Sequence, residues 1–410
     1  MLSRTKTYSH WILFLGLAVL LGIGWSWRPA GTTPNNSAPG HSATVSLQDE
    51  QPENAGGDGV ARFEKKLNDW REVIIEMQIL RQEYYLAPSL DESIELKKKY
   101  DASKKKGDAI IRELKFAAAQ AYRDKPREAT DYYNFLVNSL GYDLEVTEDQ
   151  EVAFAMAQAI NTRTISRPDI ARRVGLSHYL NNSYDVAEKL LTVAANSNEQ
   201  GGEDLKQYIG LIPRLRTLWE KEVKAREADS KTKMPRAIFE TTKGKFVVEL
   251  YENDAPNTVK NFVSLAKQGF YDDLAFFQVL PFRFALTGSP NSTASGSPGY
   301  VIKNEGMDPT KRRPNFRGTL CTPARKDDKG LVAGSIFIIS LGPYGLANTA
   351  DYCNFGRVVD GMEVVDMLER SHDQENKEVE NFRPDKIIKV TVENLREDTK
   401  YEPEKIRLGN

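Results

Sequence analysis

Four histidines and two cysteines are few for a chain of 410 residues. His10, His41, His178 and His372 show no ligand spacing, and Cys321 and Cys353 stand far apart. A zinc site or a cysteine–histidine catalytic pair is therefore not expected, and neither a metal nor a cofactor is called for. An excess of positive charge is also missing. Lys and Arg number 56 against 58 Asp and Glu, for a net charge of −2, which argues against a nucleic-acid binder. The length allows two or three domains with cores of their own.

One uncharged run stands out, HWILFLGLAVLLGIGWSW at residues 10–27. From Trp11 to Trp27, at ~1.5 Å per residue, it spans about 26 Å as a helix. Trp11, Trp25 and Trp27 sit at its ends, where indoles favour a membrane interface, and Arg4 and Lys6 precede it. The expectation is a single-pass anchor within residues 1–28, with a cytoplasmic N-terminus and the bulk of the chain exported. A cleaved signal peptide is the alternative. The run exceeds the usual apolar region of such peptides, and no A-x-A site follows before Arg28. Residues 29–59, rich in Pro, Gly, Ser, Thr and Asn, read as a flexible linker.

Residues 60–232 read as an α-helical domain. Phe63, Leu67, Trp70, Ile74, Met77 and Leu80 recur at three and four, and Leu96, Tyr100, Ile110, Ile111, Leu114 and Ala118 mark a second long helix. The basic run KKKYDASKKKGD (97–108) is either a solvated helix face with a turn or a contact for anionic lipid or an acidic partner. In GLSHYLNNSYDVAEKLLTVAANS (175–197), Gly175, Tyr184, Ala187, Leu191 and Ala194 fall at tetratricopeptide-like offsets. A single such repeat leaves an ordinary helical hairpin equally open.

At Met234–Pro235 the period changes to alternation. AIFET and KFVVELY form a hairpin pattern about TKG, with Phe246, Val248 and Leu250 on one face. Pro256 opens a helix whose buried stripe is Val259, Phe262, Val263 and Ala266, and Gly269 closes it. Strand-like segments follow: GYVIKNE, RGTLCT, GSIFIIS and NFGRVV. An antiparallel barrel with a helix or two is the expected architecture.

These residues resemble the cyclophilin family of peptidyl-prolyl isomerases. ETTKGKFVVELYENDAPNTVKNFVSLAKQGFYDD is similar to a bacterial cyclophilin N-terminus, and GSPGYVIKNE, RGTL and FGRVVDGMEVVDML match later landmarks in order. The resemblance covers residues 235–396 and leaves 397–410 as a tail. It implies a closed barrel of eight antiparallel strands capped by two helices. It also implies catalysis of rotation about X–Pro bonds by a fixed guanidinium donor beside an apolar proline pocket, without cofactor or metal.

The chain departs from that pattern where the chemistry sits. The family's F-H-R-V is Phe276-Phe277-Gln278-Val279 here, so the arginine position holds Gln278. Arg283, Phe284, Leu286, Thr287, Gly288 and Ser289 fall on F-M-x-Q-G-G-D, and the backbone-holding glutamine becomes Leu286. Ser335-Ile336-Phe337-Ile338-Ile339 replaces S-Q-F-F-I, the pocket histidine falls on Tyr352, and the Trp or Leu before it falls on Ala347. By position match the peptide groove comprises Phe277, Gln278, Phe284, Leu286, Ile336, Phe337, Ile338 and Tyr352. Phe277, Phe284, Leu286 and Ile336 are either groove or core. Arg283 is either a substitute donor or a rim arginine, and Cys321 and Cys353 are either a disulfide or two buried thiols.

The reading implied is a membrane-anchored, exported cyclophilin-family protein, nominally an isomerase assisting protein folding, with weak or lost activity. The alternative is a non-catalytic scaffold. Expected partners are proline-containing peptides or exported proteins, a protein bound by the helical domain, and the membrane through residues 11–27.

Overall fold

The computed structural model describes residues 58–124, 130–144, 149–197, 202–327, 330–343, 351–373 and 376–407. The chain divides into two compact units, Met1–Asn138 and Ser139–Asn410. The change of period at Met234–Pro235 falls inside the second.

In the first unit, α1 (Asp58–Leu86) and α2 (Leu90–Asp124) pack on each other. Phe63, Leu67, Trp70, Val73, Met77 and Leu80 are buried along α1, which is the stripe the spacing predicts with Val73 in place of Ile74. Gly107 allows the close approach of α2, since a Cβ there would lie 3.2 Å from Val73 Cγ1. Ser89 accepts the Glu92 N–H at 3.2 Å, and Asp91 and Glu92 favour the positive end of α2. The basic run lies inside α2 without a turn. Its Lys97–Asp101 (2.6 Å) and Lys98–Glu95 (2.7 Å) pairs are those of a solvated helix face. The first residues of α1 replace the end of the expected linker at 29–59 with helix.

The expected membrane placement is corrected. Among the described residues no helix is long and apolar enough to cross a membrane. The expected anchor at 11–27 lies outside the described residues, as do residues 29–57.

After α3 (Thr130–Tyr142), the second unit has α4 (Gln150–Ile160), α5 (Pro168–Leu180), α6 (Tyr184–Ala195) and α7 (Gly202–Asp229), with α4 packed on α5, α5 on α6 and α6 on α7. Asp149 caps α4 by accepting the Val152 N–H at 3.2 Å, and Pro168 opens α5. Gly175 is a close-approach position, because a Cβ there would come within 2.9 Å of Leu191 Cδ2. The pair α5–α6 therefore has the small-against-large contact read from the sequence, but an array of repeats is not supported.

The β domain has β1 (Arg236–Thr241), β2 (Gly244–Leu250), β3 (Gln278–Leu280), β4 (Phe284–Thr287), β5 (Tyr300–Lys303), β6 (Thr319–Pro323), β7 (Arg325–Asp327), β8 (Gly330–Ala333), β9 (Phe337–Ser340), β10 (Tyr352–Asp360), β11 (Ile387–Glu393) and β12 (Ile406–Arg407). Two helices accompany them, α8 (Pro256–Lys267) and α9 (Met362–Asp366). One sheet has eight strands in the order β11-β1-β2-β10-β6-β9-β4-β3, and all its pairings are antiparallel. Its inner face, closed by α8, packs Phe239, Phe246, Phe262, Tyr271, Phe337 and Phe355 into one aromatic core.

The closed barrel is also corrected. The sheet is an open half-barrel: among the described residues its end strands β3 and β11 do not pair, and the chain beside them meets at the isolated bridge Ala275–Lys386. The reason is local. β3 is short, and the outward backbone groups of Val279 are already taken: Ser371 N–H donates to the Val279 carbonyl (3.0 Å) and Val279 N–H to Ser371 Oγ (2.8 Å). A second sheet, β12-β5-β8-β7, was not foreseen. Its edge strand comes from the expected tail, held by Asn257 to both backbone groups of Glu404 and by Lys405 over the Tyr300 ring at 4.3 Å.

Candidate active site on the outer face of the sheet

Cross-strand partners in an antiparallel sheet share a face. Four successive pairings, Gln278–Leu286, Leu286–Ile338, Ile338–Cys321 and Cys321–Asn354, therefore set five side chains in one row across β3, β4, β9, β6 and β10. The neighbouring row, Val279–Ala285–Ile339–Leu320, points the other way into the aromatic core. Leu286, Cys321, Ile336 and Ile338 form a separate apolar cluster on the outer face, with Phe277, Phe284 and Tyr352 packed half-buried against it. Gly288 makes this possible at one end. It has φ +85°, and a Cβ would lie 2.3 Å from the Ser335 carbonyl, so only glycine lets the Ser335–Ile336 segment come so close.

Of the eight side chains matched by position, seven gather here: Phe277, Gln278, Phe284, Leu286, Ile336, Ile338 and Tyr352. Phe337 does not. It lies on the opposite face, 1% exposed, edge-on to Phe239, Phe262 and Tyr271. Ala347 lies outside the described residues. Arg283 closes the turn between β3 and β4, with its N–H on the Leu280 carbonyl (3.2 Å) and its carbonyl taking the Leu341 N–H (3.0 Å).

The side chains that sequence reasoning missed form the polar floor: Cys321, Asn354, Ser340 and Asn315. Ser340 Oγ donates to Asn315 Oδ1 at 2.8 Å, and Asn315 Nδ2 donates to Asn354 Oδ1 at 3.4 Å and Cys321 Sγ at 3.6 Å. Alternation within TLCTP would have placed Cys321 opposite the core residue Leu320. Both thiols are free and buried. Cys321 belongs to the outer cluster and Cys353 to the core, so they face opposite sides of the sheet and cannot bridge without backbone movement. Burial raises the Cys321 thiol far above its ordinary range, lifts Cys353 to about 12, and raises the Tyr352 phenol. Neither thiol is a nucleophile at neutral pH.

The site is thus an apolar shelf whose row ends in two neutral amides, Gln278 half-buried on β3 and Asn354 buried on β10, with no ionised group in the row. It can hold an apolar ring and donate a neutral hydrogen bond. A half-barrel carrying such a shelf defines the class as a β-sheet protein with an apolar site on its outer face.

The particular family follows from comparison. Residues 236–392 match the family model described as cyclophilin type peptidyl-prolyl cis-trans isomerase/CLD. A peptidyl-prolyl cis-trans isomerase of Helicobacter pylori is 34% identical over 137 residues, 33% of this chain and 80% of that protein. One of Synechococcus elongatus is 46% identical over 87 residues, 21% of this chain and 57% of that protein. A crystal structure of a Cryptosporidium parvum cyclophilin-type isomerase, determined in the presence of the dipeptide Ala-Pro, is 24% identical with a TM-score of 0.33, covering 38% of this chain and 98% of that one. The chain belongs to the cyclophilin-type peptidyl-prolyl cis-trans isomerase family.

Proposed function

We propose that the working part of the chain, residues 235–396, binds proline-containing peptides on the outer shelf and isomerises them only weakly. The observation that carries this is Gln278, standing at the end of the row where the family resemblance expects arginine. Rotation about an X–Pro bond must overcome ~18–20 kcal/mol of amide resonance. As the bond twists, its nitrogen becomes a hydrogen-bond acceptor, and a charged donor there stabilises the twisted state selectively. Gln278 offers a neutral donor without the rigid fork of a guanidinium. Losing one such donor costs ~10²–10³ in rate. Leu286 and Ile336 replace the amides that would hold the peptide backbone, so orientation is weakened too. The apolar wall for a proline ring remains in Phe277, Phe284, Leu286 and Ile338.

A non-catalytic scaffold is the second reading, favoured by the same substitution. In that case the helices within 60–232 add contact surface or spacing. The two are separated by titrating the full chain with a proline-containing tetrapeptide while following cis–trans exchange. Saturable binding with a small rate gain supports the first reading. Saturable binding with none supports the scaffold, and no binding sinks both. Gln278→Arg is expected to raise the exchange rate without reaching that of relatives with an intact arginine and both amides. Full rates from that single change would contradict the role given to Leu286 and Ile336.

A further inference from the structure

The segment Arg312–Arg317, which leads into β6, is gripped from both sides. On one side it meets the helices. Arg313, 3% exposed, donates from Nε and Nη2 to the Glu222 carboxylate (3.0 and 3.1 Å) and from Nη1 to Asp229 (2.9 Å) and Asp254 (3.1 Å). Its guanidinium carbon lies 3.9 Å from the Tyr251 ring centroid. Glu222 and Asp229 belong to α7, as does Trp219, whose ring meets Phe316 edge-on at 4.9 Å. Lys221 donates to the Arg312 carbonyl at 3.1 Å. Arg317 forks onto Asp366 at 2.8 and 2.5 Å, and the same carboxylate receives the backbone N–H of Gln150, at the start of α4, at 3.4 Å.

On the other side the segment meets the shelf. Asn315, 2% exposed, lies between those anchors and ties Ser340 of β9, Cys321 of β6 and Asn354 of β10. Cys321 and Asn354 are members of the row that begins at Gln278. Ser340 is the cross-strand partner of Phe284. The segment has little slack: Asn354 Nδ2 donates to the Arg313 carbonyl at 2.6 Å, and Phe316 N–H to Thr319 Oγ1 at 3.0 Å. A backbone shift at Arg313 must therefore move Asn315.

Displacing one member of a buried ion-pair cluster leaves a charge unpaired out of water, so the cluster resists movement of its members whatever its net contribution to stability. Here the arrangement fixed is the position of one loop segment against α4 and α7. We propose that Asn315 is a positioning residue for the shelf, and that α4 and α7, through Arg313, Phe316 and Arg317, set its position, so that peptide affinity responds to how the helices are held. This rests on the shelf being the peptide site. The helices then act on the shelf without touching the peptide, and a partner that binds α4 or α7 and strains the Arg313 cluster would weaken peptide binding, with the reciprocal effect required by linkage.

The test uses the full chain with labelled Ile and Leu methyl groups, and the variants Asp229→Asn, Asn315→Ala and their combination. Thermal unfolding checks that each is folded. Asp229→Asn is expected to shift the methyl signals of Leu286, Ile336 and Ile338 and to weaken binding of an Ala-Ala-Pro-Phe peptide about threefold, within the range of measured coupling effects. Asn315→Ala is expected to weaken it about fivefold, as for a lost buried hydrogen-bond set. The double variant should show less than the product of the two. Unmoved shelf methyls and unchanged affinity in Asp229→Asn, or strictly multiplicative effects, would overturn the proposal. If the unaltered chain binds no peptide, the functional reading fails and the methyl shifts alone decide: movement upholds the coupling, silence overturns it. Should Asp229→Asn not fold, Phe316→Leu, which trims the Trp219 contact, takes its place.

Discussion

The two faces of the eight-stranded sheet use adjacent residues for opposite ends. Phe337 points inward and is locked among Phe239, Phe262, Tyr271 and Phe355, while Ile338 points outward into a cluster of four buried side chains with half-buried aromatics at its rim. The inner face is closed by α8 and excludes water. Among the described residues no helix closes the outer face, whose apolar cluster rests on a polar floor and one glycine. On the reading proposed above, the first face carries the fold and the second the peptide site. The substitutions Gln278, Leu286 and Ile336 all fall on the outer one, and the core is left intact.

The largest test of that contrast is Phe337→Ala. Removing an aromatic side chain from a packed core costs about 3–5 kcal/mol, and chemical denaturation should show that loss. A peptide-affinity change without a stability loss would put Phe337 back on the shelf. Next is the pH dependence of the helical layer. His178 is buried on α5 with its ring edge-on to Phe154 at 5.2 Å, and burial lowers its pKa to about 4. The unfolded chain then binds the proton more readily than the folded one. Stability from this residue is complete above about pH 6.5 and is lost as pH falls toward 4, by on the order of 3 kcal/mol. His178→Leu should flatten that part of the denaturation profile, and an unchanged slope would contradict it. The smallest stability effect is Ile338→Ala, about 2 kcal/mol at the low end for a buried aliphatic. It should weaken peptide binding as well, which Phe337→Ala should not do beyond its effect on the folded fraction.

Much of this was legible from the chain. The hairpin, the Pro256 helix and the strands β5, β6, β9 and β10 followed from alternation and turn residues, and the position of Gln278 from motif matching. Phe337 was legible too. Strict alternation through Ser335–Ile339 sends it to the face opposite Ile336 and Ile338, and matching a motif whole overrode that signal. The open edge was not legible, because it depends on Ser371 bonding Val279 from 92 residues away. Nor was the Arg313 cluster, whose partners Glu222 and Asp229 lie 91 and 84 residues distant and read in sequence as ordinary helix charges. Nor was the strand within the tail, because it forms only against Tyr300 and Val301.

The most direct measurement is magnetisation exchange between cis and trans forms of a short X–Pro peptide in the presence of the full unaltered chain. The account predicts exchange close to the thermal rate, with bound-state line broadening, and little further change in Gln278→Ala. Exchange accelerated by several orders of magnitude and abolished by Gln278→Ala would contradict it.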